Sequence, residues 1–320
     1  MSPSTSAGTT RAVEPRPPDV SVSLSAALYV VATPIGNLED IGRRAARILR
    51  SVDLIAAEDT RTSRPLLQNL GASAHCIALH THNESRIAGD IVARIREGQS
   101  VALITDAGTP GISDPGARLV AAAHLAGIAV VPIPGASAAT TLVSAAGLPE
   151  GRFLFEGFLP SRPKHRRDRL AELASLPVAF LVFEAPHRIQ ETAQDLAAAL
   201  EAGREVVLGR ELTKQFEQIV RMTVGELPAW LAAEANHRRG EFALLVFAPA
   251  PVAALDDSTP ALSEIGLRAL EVLSASLPPR QAARLAARIS GDSADDLYRQ
   301  AVTDRDATRA ARDATDDDDR

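Results

Sequence analysis

The chain has 320 residues, 46 % of them hydrophobic, 23 % charged, and a net charge of −6. One cysteine, Cys76, excludes an intramolecular disulfide and a Cys-rich metal site, and the longest apolar runs, such as 178–183, are strand length and too short for a membrane span. Half of the negative excess sits in residues 302–320, with seven Asp and four Arg, so the rest of the chain is close to balanced.

The first 26 residues lack a charged start followed by an apolar block; they read as a disordered extension and not a signal peptide, which leaves the cytoplasm as the expected location. From residue 27 apolar strands alternate with amphipathic helices. "ALYVVAT", "DLIAAE", "HCIALH", "SVALITD" and "IAVVPI" are each followed by a helical pattern. Five such units over 27–149 predict an open, parallel α/β sheet. Beyond 150, "FLFEGFL", "VAFLVFE", "EVVLGREL", "QIVRMTV" and "EFALLVFA" read as strands. Helices near 164–175 and 187–202 separate the first three, and the last three follow with less helix between them, which predicts antiparallel pairing in a second α/β domain with a mixed sheet over 150–249. A Pro/Asp-rich linker covers 250–260. Three short helices form a module over 261–302 with helix-turn-helix rhythm, and an acidic tail, expected to be disordered, covers 303–320.

The chemistry gathers at predicted strand ends. "ITDAGTPGISDPG" (104–116) holds three glycines and two prolines where a strand turns into a helix. Gly108 and Gly111 let backbone approach a ligand, and Asp114 before Pro115 suits a helix N-cap. "ATPIGN" (32–37) and "PIPGASAA" (132–139) follow the first and fifth strands. In a parallel sheet, ligands bind at the carboxyl ends of strands. No G-x-G-x-x-G and no P-loop is present, so a dinucleotide or triphosphate lacks support. Three rigid loops that offer backbone groups suit a ligand made of adenine, ribose and an amino acid. Four charged residues, Glu58, Asp59, Arg61 and Arg64, follow the second strand, where a capped helix with surface ion pairs is the simpler reading. His80 and His82 have no carboxylate or Cys at a ligand spacing, so no metal site is expected. The most basic stretch, "FLPSRPKHRRDRL" (158–170), carries Arg162, Lys164, His165, Arg166, Arg167 and Arg169, either a solvated helix face or a phosphate-tracking patch. Glu184, His187, Arg188, Glu211 and Lys214 are further ionisable residues at strand ends.

"LYVVATPIGNLEDI", "AAEDTRTS", "ITDAGTPGISDPG", "PIPGASAATTLVSAAGLP", "FLFEGFLP", "FEAPHR", "RELTK" and "GEFALLV" occur in order and together resemble the ribosomal RNA small subunit methyltransferase I family, of the tetrapyrrole methylase fold. The resemblance implies two α/β domains with S-adenosylmethionine (SAM) between them, and methyl transfer to the 2′-hydroxyl of a cytidine in 16S rRNA of the small ribosomal subunit. Motif by motif, it implies cofactor contacts at Pro34, at Ala107, Gly108, Thr109 and Ile112, at Ser137 and Ala138, and at Glu184. It further implies a homodimer and no membrane. "ATPIGN" departs from the glycine-rich first loop of true tetrapyrrole enzymes and points to the RNA branch. In "GDSADDLYRQ", Asp292, Asp295 and Asp296 stand where the family's helical module is usually basic; Arg280, Arg284 and Arg288 form a stripe one helix earlier.

A ribose hydroxyl is a poor nucleophile, so a general base is expected among Asp59, Glu211, Glu58 and Asp106, the first two ranked ahead. Arg61, Arg162, Lys164, Arg166, Arg167, Arg169, His187, Arg188 and Lys214 are the expected RNA contacts. The alternatives are a methyltransferase of the same fold acting on a tetrapyrrole or a modified protein residue, and a non-catalytic SAM- or RNA-binding module.

Overall fold

The computed structural model describes residues 24–149, 151–249 and 262–317, with side chains to Arg305. Residues 1–23 of the expected extension and the whole 250–260 linker lie outside that range. The chain divides into two compact units at 249/250.

The first unit holds two five-stranded sheets. β1 (Leu28–Val31), β2 (Leu54–Ala57), β3 (His75–Ala78), β4 (Val101–Ile104) and β5 (Val130–Ile133) are all parallel, in the order β3-β2-β4-β1-β5. β2 and β4 are buried along their whole length, so they read as unbroken apolar runs. α1 (Arg43–Ser51) and α2 (Thr60–Leu70) cover one face, around Ile48, Leu49, Ile55 and Leu67. α3 (Glu84–Arg96) and α4 (Ala117–Leu125) cover the other, around Ile91, Leu103 and Leu119. Leu24, inside the expected extension, packs against the first of these cores.

α5 (Ala138–Ala146) turns away to the second sheet: Leu142 shares a cluster with Leu181, Val207 and Leu245. That shared core joins the two halves, which the sequence divides at 150, into one unit. A Cβ at Gly209 would come 2.8 Å from Leu142 Cδ1, so a bare backbone is required there.

β6 (Phe153–Phe158), β7 (Ala179–Glu184), β8 (Glu205–Arg210), β9 (Gln218–Thr223) and β10 (Phe242–Val246) run in the order β6-β7-β10-β8-β9. Only β6/β7 is parallel, as the helix-spanned connection predicts. α6 (Pro163–Ala174), α7 (Ile189–Ala199) and α8 (Leu227–Ala233) cover its far face around Phe180, Leu196 and Leu231. The seven-residue α8 is too short for periodicity to reveal.

The second unit packs α9 (Glu264–Ser274), α10 (Pro279–Ser290) and α11 (Ala294–Asp317) around Leu270, Ala282, Ala286 and Leu297. α11 continues past 302, where the sequence expects disorder. Ser263 caps α9, and Asp292 Oδ2 accepts from the Ser263 amide and hydroxyl, at 3.2 and 2.7 Å. Asp296 is 7 % exposed and paired with Arg299. Two of the three unexpected acids therefore hold the module together, while Arg280, Arg284 and Arg288 are exposed. Among the described residues no helix is long and apolar enough to cross a membrane.

Asp114 does not cap α4, contrary to the expectation from "DP". The N-cap is Gly116, with no side chain to accept. Glu84, 4 % exposed at the start of α3, supplies the acceptor across the sheet face: its Oε1 takes the amides of Gly116, Arg118 and Leu119 at 3.0, 2.8 and 3.1 Å. A carboxylate at a helix N-terminus meets otherwise unpaired donors and the positive end of the dipole. Glu84→Ala should therefore cost about 2 kcal/mol, a fall in Tm of roughly 4–8 °C. Thermal unfolding of the two proteins tests this, and an unchanged Tm removes Glu84 from the account.

Candidate functional site

Three loops meet at the carboxyl edge of the first sheet, after β1, β4 and β5. The loop after β1 and the loop after β4 are joined backbone to backbone: Thr33 N donates to Gly108 O at 2.9 Å and Gly108 N to Thr33 O at 3.1 Å. The buried Thr33 hydroxyl donates to Thr105 O at 3.1 Å. The Thr109 hydroxyl donates to Ala136 O at 3.0 Å and so ties in the third loop. Gly135 comes so close to the first loop that a Cβ there would sit 2.9 Å from Ala32 Cβ. Gly108, Gly111 and Gly116 all have positive φ, between 80° and 130°, and Ser113 joins them at 66°. The glycines of "AGTPGISDPG" thus let the chain coil tightly and keep backbone within reach of a ligand.

The second sheet supplies the facing wall: Phe158, Phe183 to Pro186, Gly209, Leu212 and Glu241 to Ala243. Between the walls lies a cleft of roughly 310 Å³, the size of a small-ligand site. Of the eight residues expected to hold a cofactor, seven line it: Ala107, Gly108, Thr109, Ile112, Ser137, Ala138 and Glu184. Pro34 is buried, and its neighbour Ile35 stands on the wall in its place. Glu184 is 2 % exposed with both oxygens engaged: Oε1 accepts from the Ala185 amide and Oε2 from Thr192 Oγ1 at 2.6 Å. Arg188 Nε lies 3.3 Å from Glu184 Oε1, so the Glu184 charge is balanced inside the protein.

The carboxylates separate by environment. Asp59 caps α2 and is bonded twice by the Arg61 side chain, at 3.1 and 2.7 Å. Those bonds, with the Arg61 amide, hold it at about 2, so it is a feeble proton acceptor at neutral pH. Glu211, in a left-handed conformation at φ 52°, takes the Lys214 ammonium at 2.9 Å and the Glu241 amide at 3.0 Å. Burial raises it, and these donors more than offset the burial, leaving it below its usual range. Neither of the first-ranked candidates is poised as a base. Glu58 accepts from Thr105 Oγ1 at 2.6 Å, and Asp106 Oδ1 accepts from the Asp59 amide at 3.1 Å. Burial, together with the neighbouring Glu58 and Asp59 charges, pushes Asp106 up. Asp114, absent from the expected bases, lines the cleft itself, and burial plus Glu58 and Asp106 push it up to about 7. In the sequence its only signal is the Pro that follows, which suggests a cap.

The basic candidates also divide. Arg166 is 2 % exposed and paired with Asp195 at 2.6 Å and Glu191 at 3.3 Å. It is a core ion pair, and the expectation that it contacts RNA is withdrawn. Arg169 is held by both oxygens of Glu156, each at 2.7 Å, and by Glu172. Arg188 donates to Leu159 O at 2.7 Å as well as facing Glu184. Lys214 bridges Glu211 and Glu241 beside Gly36, where any Cβ would collide with the Lys214 side chain. Arg162, Lys164, Arg167 and His187 are exposed, as is Arg61 apart from its bond to Asp59. No group of metal-ligating residues occurs among the described residues.

A family model described as Tetrapyrrole (Corrin/Porphyrin) Methylases matches residues 27–228, and one described as the RsmI C-terminal HTH domain matches 260–305. Among curated relatives, the ribosomal RNA small subunit methyltransferase I of Escherichia coli O157:H7 is 48 % identical over 86 % of this chain and 94 % of its own length. That of Xylella fastidiosa (strain Temecula1) is 47 % identical over 87 % and 99 %. Among solved structures, a cobalt precorrin-4 methyltransferase of cobalamin biosynthesis superposes with a TM-score of 0.52 at 20 % identity, covering 72 % of this chain and 97 % of that one, which establishes the shared fold.

The Asp114 environment sets a pH dependence. An unfolded aspartate titrates near ~3.9, and the folded one at about 7. The folded state therefore holds this proton more tightly, and the resulting stabilisation is complete below about pH 4 and lost as the pH rises through 7. Asp114→Asn removes that titration. Between about pH 5 and 8 the stability of the variant relative to the parent should rise. Parallel pH profiles of Tm would show that Asp114 is not held in this way.

Proposed function

The chain belongs to the ribosomal RNA small subunit methyltransferase I family within the tetrapyrrole methylases, and from that premise we propose that it transfers a methyl group from SAM to the 2′-hydroxyl of a cytidine in 16S rRNA. The observation that carries the reading is the cleft, in which seven expected cofactor residues from separate loops converge.

The residues fit SAM. Backbone at positive φ in 108–113 offers close polar contacts, and Ile35, Leu212 and Ala243 offer an apolar wall for the nucleoside. Ala107, Gly108, Thr109, Ile112, Ser137 and Ala138 would hold it. SAM, when bound, supplies a methyl group on an electron-poor sulfur. The loops align the acceptor with that methyl, and alignment is where most of the acceleration arises. Asp114 receives the hydroxyl proton: it lines the cleft and titrates near the working pH, where a general base is most effective. Glu58 and Asp106 sustain its basicity by their charge. Arg162, Lys164, Arg167, His187 and Arg61 engage phosphates. A 2′-hydroxyl carries little sequence information, so recognition rests on the shape of the surrounding RNA. A second copy would double the exposed basic surface, which favours a homodimer acting on the assembled small subunit in the cytoplasm.

Small subunits lacking the modification, incubated with the protein and methyl-labelled SAM, should yield 2′-O-methylcytidine at one position of 16S rRNA. Initial rates should exceed those on naked rRNA, and light scattering should give the mass of a dimer. Label on a base, or none in rRNA, refutes the proposal; equal rates on both substrates remove the subunit preference, and a fully active monomer removes the dimer.

A further inference from the structure

One aromatic ring in the cleft is turned against the alternation of its own strand. In β6 the period of two puts Phe153 and Phe155 on the cleft-side core with Ala179 and Leu181, and Leu154 on the far core with Phe180. Continued without interruption, that period sends Phe158 to the far side with Leu154. Instead the register shifts between Phe155 and Gly157: Glu156 has no partner on β7, Gly157 pairs with Val182, and Phe158 with Phe183. One bulged residue exchanges the faces. Phe158 emerges on the cleft, 52 % exposed, as a large apolar ring facing water.

The bulge is pinned from both sides. The extra residue, Glu156, is gripped by Arg169 through two bonds of 2.7 Å. Gly157 has φ 76°, and a Cβ there would lie 2.8 Å from Ser113 Oγ on the cofactor loop, so only glycine lets the two walls approach. The ring is set by an edge-to-face series: Phe155 to Phe183 at 5.1 Å, then Phe183 to Phe158 at 5.8 Å, each at 66°. Four to nine residues downstream come the exposed Arg162, Lys164 and Arg167.

We propose that Phe158 is the platform on which the base of the target nucleotide stacks, and that Arg169 and Glu156 are positioning residues that aim it. This rests on the proposed RNA methylation. A fixed, half-exposed ring followed within a few residues by exposed cations is a combination that binds single-stranded nucleic acid: the ring takes a base face, and the cations take the backbone. The exposed cations that follow the ring in sequence favour RNA as the occupant, because SAM carries no phosphate. RNA bases are read when splayed from their helix onto aromatic rings, and stacking one base fixes the ribose attached to it. The charge of Arg169 is then directed to the bulge and not to RNA.

The experiment uses small ribosomal subunits and the full-length protein. Phe158→Ala should lower kcat/KM roughly 10- to 100-fold, with S-adenosylhomocysteine affinity by calorimetry within about twofold of the parent, and Phe158→Trp should restore most of the rate. Arg169→Lys keeps the charge and loses the paired bonds; it should lower kcat/KM while leaving the salt dependence of subunit binding unchanged. Arg162→Ala, Lys164→Ala and Arg167→Ala together should reduce that dependence. Undiminished activity in Phe158→Ala, or full activity in Arg169→Lys, contradicts the inference while leaving the methylation standing. Parallel loss of S-adenosylhomocysteine affinity in Phe158→Ala would make the ring a cofactor wall. A parent protein inactive on subunits contradicts the methylation itself, and this inference with it.

Discussion

The pair of backbone hydrogen bonds between Thr33 and Gly108 is the constraint from which the site follows. β1 and β4 are neighbours in the sheet, and their loops leave it side by side. Backbone polar groups at a buried strand end need partners, and here each loop supplies the other's. Pairing is possible because residue 108 is a glycine at φ 85°, already 3.3 Å from Ile35 Cγ2 at the position of a notional Cβ. Thr109 then fastens the pair to Ala136, and Gly135 lets the third loop settle on Ala32. The loops are rigid before any ligand arrives, so little ordering remains for binding to impose.

The second sheet completes the cleft through α5. Leaving the third loop, this helix buries Leu142 against Val207 and Leu245, and the close passage of Gly209 sets the distance between the walls. Charge is arranged with the same economy. Arg166, Arg169, Arg188 and Lys214 are all turned inward to acidic partners. A dense run of cations in a sequence is therefore a poor measure of the field presented to RNA. The acids in "GDSADD" make the converse point, since Asp292 and Asp296 are engaged within the helical module.

Much of the architecture is legible in the sequence because it rests on local rules. Strand–helix alternation gives the parallel sheet, shorter connections give the antiparallel strands, and Gly/Pro clusters at strand ends mark the cleft. The shared motifs extend this to seven individual residues that line the cleft. What stays hidden depends on contacts distant along the chain. Glu84 caps a helix that starts more than thirty residues later. Asp114 acquires its basicity from burial and from Glu58, which follows β2 more than fifty residues earlier in the chain. The bulge at Glu156 depends on Arg169 and on Ser113, neither of which marks it in sequence. The environments of Asp59 and Glu211 are hidden for the same reason: nearby cations and amides hold both below their usual range.

The central claim is that these stitched loops, with Glu184 to Pro186, Leu212 and Ala243 of the facing wall, form the SAM site. Hydrogen–deuterium exchange of the full chain, with and without S-adenosylhomocysteine, addresses it without any substitution. The account predicts slowed exchange in peptides covering 107–114, 137–142 and 183–186, and no change across 262–305. Unchanged exchange at 107–114 under saturating ligand, or protection centred elsewhere, would contradict it.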